Sequence, residues 1–278
     1  MSRKIAIIND ISGYGRCSTS VILPIVSHLG VQGCALPTAI FSNHTGFPSF
    51  FCYDFTKYMP AYIREWKKLE LQFDGIMTGF LGSAKQISIV EDFIKQFRTD
   101  QTHILVDPVM GDNGRIYPTY TEQLCREMRR LIAYSDIITP NLTEACFLTS
   151  TRYHESGWTH KELEELARKL LDMGTRQLVI TGIHMGNGSI GNVIASQDSD
   201  KVIYQRQLLV EQTRSGTGDV FAAVLAADAV NGVDFEHSCH RSSKFVRQCL
   251  IETIKTETAH NTGIDFESQL AKLSKLVK

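Results

Sequence analysis

The sequence predicts an α/β fold with three layers, in which a mostly parallel central sheet carries helices on both faces. Short β-branched apolar runs alternate with helical stretches, which is typical of strand-helix-strand units. The predicted strands are continuously apolar, as strands covered on both faces are. With 278 residues and 43% apolar content, the chain can bury a full core, and residues 1–278 are predicted to form a single domain.

The first half of the chain contains four predicted strand-helix pairs. They are Lys4–Ile8 with Ser18–His28, Gly75–Thr78 with Ala84–Phe97, His103–Asp107 with Thr121–Leu131, and Asp136–Thr139 with Thr143–Thr149. A further strand is expected at Gly33–Ile40. Ser83 and Gln86 have the spacing of a capping box, so we expect Ser83 to begin its helix and not to carry chemistry.

The second half begins with a clear switch from helix to strand. Apolar residues at helical spacing predict an amphipathic helix over Lys161–Met173, which Gly174 ends before the strand Gln177–Thr181. The remaining predicted elements are a glycine-rich turn at Gly182–Gly188, two edge strands at Ile190–Ser196 and Val202–Leu209, and helices near Phe235–Lys255 and Asp265–Val277.

Composition favours a small-molecule partner. The formal net charge of −1 provides no general attraction to nucleic acid or to acidic membranes, so neither is expected as a partner. The seven cysteines are scattered without a C-x-x-C pair, which indicates free thiols in a reducing compartment and hence a cytoplasmic protein. The apolar run near the N-terminus is too short for a signal peptide or a membrane span.

The most informative motif is Ser215–Asp219, which opens a small apolar helix. Gly216, Thr217 and Gly218 can direct bare backbone N–H groups and the positive end of the helix dipole at an anion such as phosphate. Asp219 would repel that anion unless it has a task such as receiving a proton from an attacking hydroxyl, although its basicity should be low at a helix N-terminus. The alternative is that Asp219 only complements the dipole in the first turn.

Polar and glycine residues, with Phe80 beside them, follow the predicted strands at the edge where ligands of open α/β sheets bind. These residues are Asn9, Phe80, Asp107, Asp112, Thr139, Asn141, Glu144, Thr181 and Gly182. Taken singly, Asp107 fits a turn initiator, and Asn141 with Glu144 fits a helix cap with its reciprocal partner. Together, Asp107, Asp112 and Glu144 supply the hard oxygen ligands that Mg²⁺ bound to phosphate oxygens requires.

The segment Phe41–Gly46 offers an aromatic ring, hydroxyls, an amide and an imidazole within six residues. A planar heteroaromatic ligand needs a ring to stack on and a few directional hydrogen bonds, so this segment is a candidate substrate site. The alternative is a polar loop that contains one core phenylalanine.

Other short motifs fail to support competing functions. Gly13-x-Gly15-x-x-Ser18 lacks the third glycine and the acidic residue of a dinucleotide site, so it fits a tight loop or a plain strand-to-helix turn. No G-x-x-x-x-G-K-[ST], H-E-x-x-H or G-x-S-x-G motif occurs. His237 and His240 have zinc spacing without nearby partner ligands, which favours an ordinary helix face.

Taken together, the motifs resemble those of the pyridoxal (vitamin B6) kinases of the ribokinase-like superfamily. The matching segments are Phe41–Gly46, Thr78–Gly82, Val106–Asp112, Asp136–Glu144 and Gly216–Ala223. The last segment marks the superfamily, and the first is close to diagnostic for B6 kinases. The resemblance implies a ribokinase-like fold, ATP and Mg²⁺ with a monovalent cation such as K⁺, and a homodimer.

The resemblance also implies a role for each matched residue. Asp219 would take the proton from the substrate hydroxymethyl group, and Gly216, Thr217 and Gly218 would form the anion hole. Asp112 and Glu144 would position Mg²⁺ directly or through water. The remaining implied contacts are Asp107 and Thr139 with a monovalent cation and the phosphates, Asn141, Thr181 and Gly182 with ATP, and Asn9, Phe41, Ser42, Thr45 and Phe80 with the pyridine substrate.

Some positions depart from the family pattern. Asn9-Asp10 stands where the family usually has serine, Phe80 stands where many relatives carry tyrosine, and the segment Asn113–Tyr117 looks like a short flap over the nucleotide with glycine hinges. The expected activity is ATP-dependent phosphorylation of the 5′-hydroxymethyl group of pyridoxal, pyridoxamine or pyridoxine. The alternatives are a hydroxymethylpyrimidine kinase of the same superfamily and a vitamer-binding protein without catalysis.

Overall fold

Strands and helices alternate along most of the chain, as predicted. The computed structural model describes residues 2–117, 119–257 and 259–274. The strands are β1 (Lys4–Ser12), β2 (Gln32–Phe41), β3 (Cys52–Asp54), β4 (Gly75–Thr78), β5 (His103–Val106), β6 (Gly111–Asp112), β7 (Arg115–Ile116), β8 (Ile137–Ile138), β9 (Gln177–His184), β10 (Ser189–Ser196) and β11 (Ser199–Leu208). The helices are α1 (Thr19–His28), α2 (Met59–Lys68), α3 (Ala84–Phe97), α4 (Glu122–Ile132), α5 (Leu142–Thr149), α6 (His160–Leu171), α7 (Thr217–Asn231), α8 (Phe235–Lys255) and α9 (Leu270–Leu273).

Contacts divide the chain into two compact units. The first comprises the described residues of Met1–Gly79, Phe97–His103 and Val210–Lys278, and the second comprises Phe80–Gln96 and Ile104–Leu209. That residues 1–278 form a single domain stays a prediction.

In the first unit the strand order is β4-β1-β2-β3. Strand β1 pairs in parallel with β2 and β4, whereas β3 runs antiparallel to β2. The four residues Ile5–Ile8 are fully buried, as the continuous apolar run predicts. Helix α7 contacts α1, α8 and β4, and its small apolar residues Val220–Ala227 are buried. The N-terminus of α7 is therefore held on a rigid, well-packed element.

In the second unit the strand order is β11-β10-β9-β8-β5. Strands β5, β8 and β9 run parallel to one another, whereas β10 runs antiparallel to both β9 and β11. The mixed, mostly parallel sheet with flanking helices confirms the predicted fold class.

Two predicted elements on the antiparallel side of the sheet were wrong in detail. Ile190–Ser196 is not an edge strand, because β10 pairs with β9 on one side and β11 on the other. The turn predicted at Gly182–Gly188 begins later, since β9 continues to His184 and pairs there with Ile190. In both cases the pairing of β10 with its neighbours decides the structure, and no local pattern contains it.

The predicted C-terminal helix Asp265–Val277 begins later than expected. Residues Glu267–Gln269 form a 3₁₀ turn, and α9 follows it; residues 275–277 lie outside the described residues. Asp265 donates its N–H to the Thr253 hydroxyl at 2.7 Å, and Phe266 is buried. These tertiary contacts hold the segment in a conformation that a continuous helix would not allow.

Sequence reasoning missed β3 and α2. Strand β3 has three exposed residues and no apolar alternation, so it carried no strand signal. Helix α2 buries Met59 and Ile63, which are four positions apart in the sequence. This helical spacing of apolar residues is a signal from which the helix could have been predicted.

The cysteines are free thiols, as expected. Cys17, Cys125, Cys146, Cys239 and Cys249 are buried, Cys34 is half-buried and Cys52 is exposed. In the described part of the chain, none of the helices combines the length and the apolar character that a membrane span requires.

Candidate active site

The N-terminus of α7 has the geometry of an anion site. Gly216 is the N-cap and has a left-handed backbone with φ 87°. A Cβ atom on Gly216 would press into the carbonyl oxygen of Arg16, so glycine is required there by both conformation and space. By contrast, a Cβ atom on Gly218 would meet no atom within 4 Å. Open space therefore lies beside the first-turn N–H groups, which have no intrahelical partners.

Asp219 lies in this first turn and is partly buried. Its carboxylate accepts hydrogen bonds from the Ser18 backbone N–H and the Asn9 side chain. Burial raises the pKa of Asp219 to about 6, the nearby Asp10 carboxylate also raises it, and the two hydrogen bonds oppose the shift. The expectation of low basicity at a helix N-terminus was thus wrong, because desolvation outweighs the dipole.

Asn9 is the partner of Asp219 on β1. Its side chain is 2% exposed, and its Oδ1 accepts the Asp10 N–H at 2.9 Å. A Cβ atom on Gly79 would approach the Asn9 amide nitrogen to 2.5 Å, so the glycine makes room for this amide. Asp10 is buried as well, and its Oδ2 accepts the Ser12 hydroxyl at 3.0 Å.

The Phe41–Gly46 segment forms an anchored loop. Phe41 is the last residue of β2 and is 4% exposed, with its ring edge-on to Phe50 at 5.8 Å between centroids. Ser42 Oγ accepts the Phe51 N–H at 2.9 Å, and Thr45 is exposed. The core-phenylalanine interpretation of Phe41 is confirmed, while its contact with a substrate stays a prediction.

His44 ties this loop to the C-terminal segment. The Nδ1 atom accepts the Gly46 N–H at 3.1 Å, and Nε2 donates to the Asn261 carbonyl at 2.8 Å. The sequence motif contained His44, but its tethering role depends on a residue more than two hundred positions away.

In the second unit, Phe80 packs against a ring that sequence reasoning missed. The Phe80 and Tyr120 rings meet edge-to-face at 5.9 Å, and the Tyr120 hydroxyl accepts the Leu81 N–H at 3.2 Å. Nearby, Ser83 caps α3 as expected: its hydroxyl accepts the Gln86 N–H at 3.3 Å.

The second unit also brings together Asp107, Thr139, Asn141 and Glu144. The Thr139 hydroxyl donates to Asp107 Oδ1 at 3.1 Å. Asn141 and Glu144 form a full capping box at the start of α5, which confirms the structural interpretation of this pair. Burial and the Asp107 charge raise the pKa of Glu144 well above its usual range, although backbone N–H groups of Asn141 and Met110 oppose the shift.

Asn141 connects these residues to two other predicted ATP contacts. Its Nδ2 donates to the Gly111 carbonyl at 2.8 Å, beside Asp112. Asn141 also bridges to Thr181, whose N–H donates to the Pro140 carbonyl at 2.9 Å. The next residue, Gly182, donates its N–H to Asn192 Oδ1 at 3.4 Å.

The predicted flap is a small β-hairpin. Strands β6 and β7 pair through a turn at Asn113 and Gly114, which both have positive φ as a two-residue hairpin turn requires. The Gly114 N–H donates to the Thr143 hydroxyl at 2.9 Å. Closure of this hairpin over a nucleotide stays a prediction.

The acidic side chains of the second unit supply only part of the ligand set that Mg²⁺ needs. Within the described ranges, no three His, Cys, Asp or Glu side chains are grouped so that they could enclose a metal ion. Both Glu144 carboxylate oxygens accept backbone N–H groups, from Met110 and Asn141. The donor set therefore fits an ion that is completed by water and phosphate oxygens, which is the usual coordination of Mg²⁺ in nucleotide sites.

Comparison with known proteins identifies the family. A model of the phosphomethylpyrimidine kinase family matches residues 23–263. The chain belongs to this family. The match begins after Ser18, so the loop that follows β1 lies outside it.

Relatives in the family are kinases of B6 vitamers. The pyridoxine/pyridoxal/pyridoxamine kinase of Bordetella avium is 29% identical, with 88% of this chain and 84% of that protein covered. Sheep pyridoxal kinase is 27% identical, with 83% of this chain and 79% of the sheep protein covered. These relatives confirm the predicted likeness to B6 kinases.

Solved structures of family members confirm the ribokinase-like fold. A Bacteroides thetaiotaomicron protein, provisionally assigned as a phosphomethylpyrimidine kinase, is 40% identical with a TM-score of 0.95 over 98% of this chain and 94% of its own. A second crystal form of that protein, with pyridoxal, gives 38% identity and a TM-score of 0.93, covering 100% and 96%. Pyridoxal kinase from Lactobacillus plantarum is 27% identical with a TM-score of 0.90, and the match covers 99% of this chain and 98% of its own.

Proposed function

We propose that this kinase transfers the γ-phosphoryl group of ATP to the 5′-hydroxymethyl group of pyridoxal, pyridoxamine or pyridoxine. The observation that carries the proposal is Asp219, a carboxylate with a pKa raised to about 6 at the start of α7, beside the open space at Gly218. The curated relatives named as pyridoxal kinases and the Bacteroides structure with pyridoxal support the choice of substrate.

Catalysis rests on Asp219 and the helix start. The substrate oxygen forms a bond to the γ-phosphorus while the bond from that phosphorus to the β-γ bridging oxygen breaks, releasing ADP. Asp219 accepts the hydroxyl proton, and the first-turn N–H groups at Gly216–Asp219 stabilise charge on the transferring group. Because the transition state is loose, positioning contributes more than base strength.

Residues of the second unit are assigned to ATP and its cations. Asn141, Thr181 and Gly182 contact the nucleotide, and Asp107 and Thr139 serve the phosphates or a monovalent cation such as K⁺. Asp112 and Glu144 would hold Mg²⁺, directly or through water, and the ion would neutralise phosphate charge. The contacts among Asp107, Thr139, Asn141 and Glu144 support their acting as one group.

The vitamer ring is assigned to the anchored loop and to Phe80. Thr45 and Ser42 supply hydroxyl groups, and Phe41 and Phe80 supply aromatic surface. The anchoring of the loop by His44 supports this assignment, since it fixes the loop before substrate binds.

The raised pKa of Asp219 predicts the acid limb of the pH profile. Asp219 must be ionised to accept a proton, so kcat/KM should be constant above about pH 7 and fall tenfold per unit below an apparent pKa of about 6. Initial rates with pyridoxal from pH 4.5 to 8.5, at saturating ATP, measure this limb. A limb near pH 4 would show that Asp219 keeps an ordinary carboxyl pKa in the enzyme.

The family name raises the alternative of a hydroxymethylpyrimidine kinase, whose substrate also carries a hydroxymethyl group on a heteroaromatic ring. With pyridoxal and hydroxymethylpyrimidine at equal concentration, we expect the pyridoxal phosphate signal to dominate by mass spectrometry. Dominance of the pyrimidine product would overturn the choice of vitamer. Absence of both products would favour a vitamer-binding protein without catalysis.

We further propose a cytoplasmic homodimer. The free cysteines support a reducing compartment, and two-fold assemblies are the commonest oligomers of soluble proteins. Light scattering coupled to size-exclusion chromatography should give twice the chain mass of 31.2 kDa. A mass of one chain would exclude the dimer.

A further inference from the structure

We propose that Asn9 is a positioning residue that orients the Asp219 carboxylate, in place of the vitamer contact that the resemblance implies. This inference rests on the proposed function, in which Asp219 receives the substrate proton. Its basis is the hydrogen-bond arrangement that joins β1 to the start of α7.

The orientation of the Asn9 amide is fixed by its neighbours. The Asp10 N–H donates to Asn9 Oδ1 at 2.9 Å, so the oxygen is the acceptor end and the NH₂ group is the donor that meets Asp219. The side chain is 2% exposed, and the missing Cβ of Gly79 leaves the space that the amide fills. Because its own orientation is fixed by its neighbours, the Asn9 amide can fix the orientation of the Asp219 carboxylate.

The β1 strand is irregular where Asn9 and Asp10 lie. Its register with β2 shifts between Asn9 and Ile11, which pair with Pro37 and Ile40. In a regular strand, consecutive side chains point to opposite faces, yet Asn9 and Asp10 both act on Asp219. Register shifts of this kind re-aim side chains and are common beside active sites.

Ser18 holds the carboxylate through a second donor. Its backbone N–H donates to Asp219, and its conformation of φ 54° and ψ −139° is unfavourable for a residue with a side chain. Such strain persists only where surrounding structure over-determines it, and it clusters at functional sites. Two donors from separate elements, Asn9 on β1 and Ser18 before α1, thus fix the direction of one carboxylate.

One titratable group, Asp10, acts directly on Asp219, and two others are linked to this pair. The charge of Asp10 on β1 raises the pKa of Asp219. The charge of Asp219 in turn raises the pKa of Cys17, and His44 in the anchored loop lowers the pKa of Asp10. The Asn9 hydrogen bond favours the ionised form of Asp219. Its loss should therefore move the acid limb of kcat/KM to higher pH, which loss of a vitamer contact would not do.

The test compares Asn9→Ser with the wild type and with Asp219→Asn. Serine can still accept the Asp10 N–H, but its side chain is too short to reach Asp219. In Asn9→Ser we expect kcat to fall about 10- to 100-fold, KM and calorimetric Kd for pyridoxal to stay within about twofold, and the acid limb to rise. In the Asp219→Asn background, Asn9→Ser should cause no further loss.

Two outcomes would overturn the inference. One is a large rise in pyridoxal Kd with kcat unchanged, which would make Asn9 a vitamer ligand. The other is the same fold-loss in both backgrounds, which would mean that Asn9 acts independently of Asp219. If Asn9→Ser fails to fold by circular dichroism, the isosteric Asn9→Asp replaces it; an acid limb that does not rise in that variant contradicts the inference.

Failure of the proposed function has a different signature. If wild-type protein does not phosphorylate any vitamer, or if Asp219→Asn is as active as wild type, the proposed function fails before Asn9 is measured. If the wild type is active and Asp219→Asn is not, the Asn9 variants decide the inference alone.

Discussion

Replacing Asp219 with alanine is expected to lower kcat by about 10²- to 10⁴-fold, the usual contribution of a positioned base. Pyridoxal affinity should change little, because the carboxylate is assigned to the reacting proton and not to the ring. Steady-state kinetics with all three vitamers and calorimetric titration with pyridoxal separate the two effects. Near-wild-type turnover would remove Asp219 from the mechanism.

Asp234→Ala is the matched control for this variant. Asp234 is also an acid at a helix start, where its Oδ1 accepts the His237 N–H at 2.9 Å and caps α8. Its loss should lower stability by about 1 kcal/mol, the usual value of an N-cap, while kcat is retained. A parallel loss of activity in both variants would indicate a general effect of removing helix-start acids.

Asp219→Asn is expected to lose activity without losing thermal stability. The folded-state pKa of Asp219 lies above its unfolded value of 3.8, so the folded protein binds more protons between about pH 4 and pH 6. Ionisation of Asp219 therefore destabilises the fold as pH rises through this window. Asp219→Asn, which removes that charge, should melt no lower than wild type at pH 7.

The second large effect is expected at the glycines of the helix start, which differ in what surrounds them. Gly218→Ala should keep its thermal stability, since the new methyl group meets no protein atom within 4 Å. The methyl group would occupy the proposed anion site, so kcat should fall on the order of 10²-fold, as when one preorganised donor is lost. Unchanged turnover in this variant would exclude Gly218 from the anion site.

Gly216→Ala provides the contrast. Its φ of 87° costs a side chain about 1–2 kcal/mol, and the Cβ clash with the Arg16 carbonyl adds to this. We therefore expect a clear loss of stability in thermal denaturation, which Gly218→Ala does not show. Equal melting temperatures for the two variants would contradict the steric assignment.

Sequence reasoning was most successful where one local pattern is sufficient. Continuous apolar runs located the buried parallel strands, and the Asn141–Glu144 spacing located the cap of α5. It was least successful where distant segments decide the structure. The paired position of β10 and the late start of α9 depend on contacts with β11 and Thr253 that no local window contains.

The same limit applies to the candidate site. Gly216–Asp219 could be singled out because glycines and an acid before an apolar helix form a local signal. The raised pKa of Asp219 could not, because it results from burial of the carboxyl group in the folded chain and from the charge of Asp10, which lies at the other end of the sequence. Tyr120 was missed for the same reason, since its contact with Phe80 spans forty positions.

The division of contacts has a consequence for biosynthesis. Residues of Met1–Gly79 and of Val210–Lys278 belong to the same unit, whereas Ile104–Leu209 lies within the other. A ribosome releases the chain from its N-terminus, so α1 and β4 must wait for α7, which is synthesised after the whole of the second unit. A nascent or truncated chain that ends before Thr217 would therefore expose the faces of α1 and β4 that α7 covers, and would call for a chaperone.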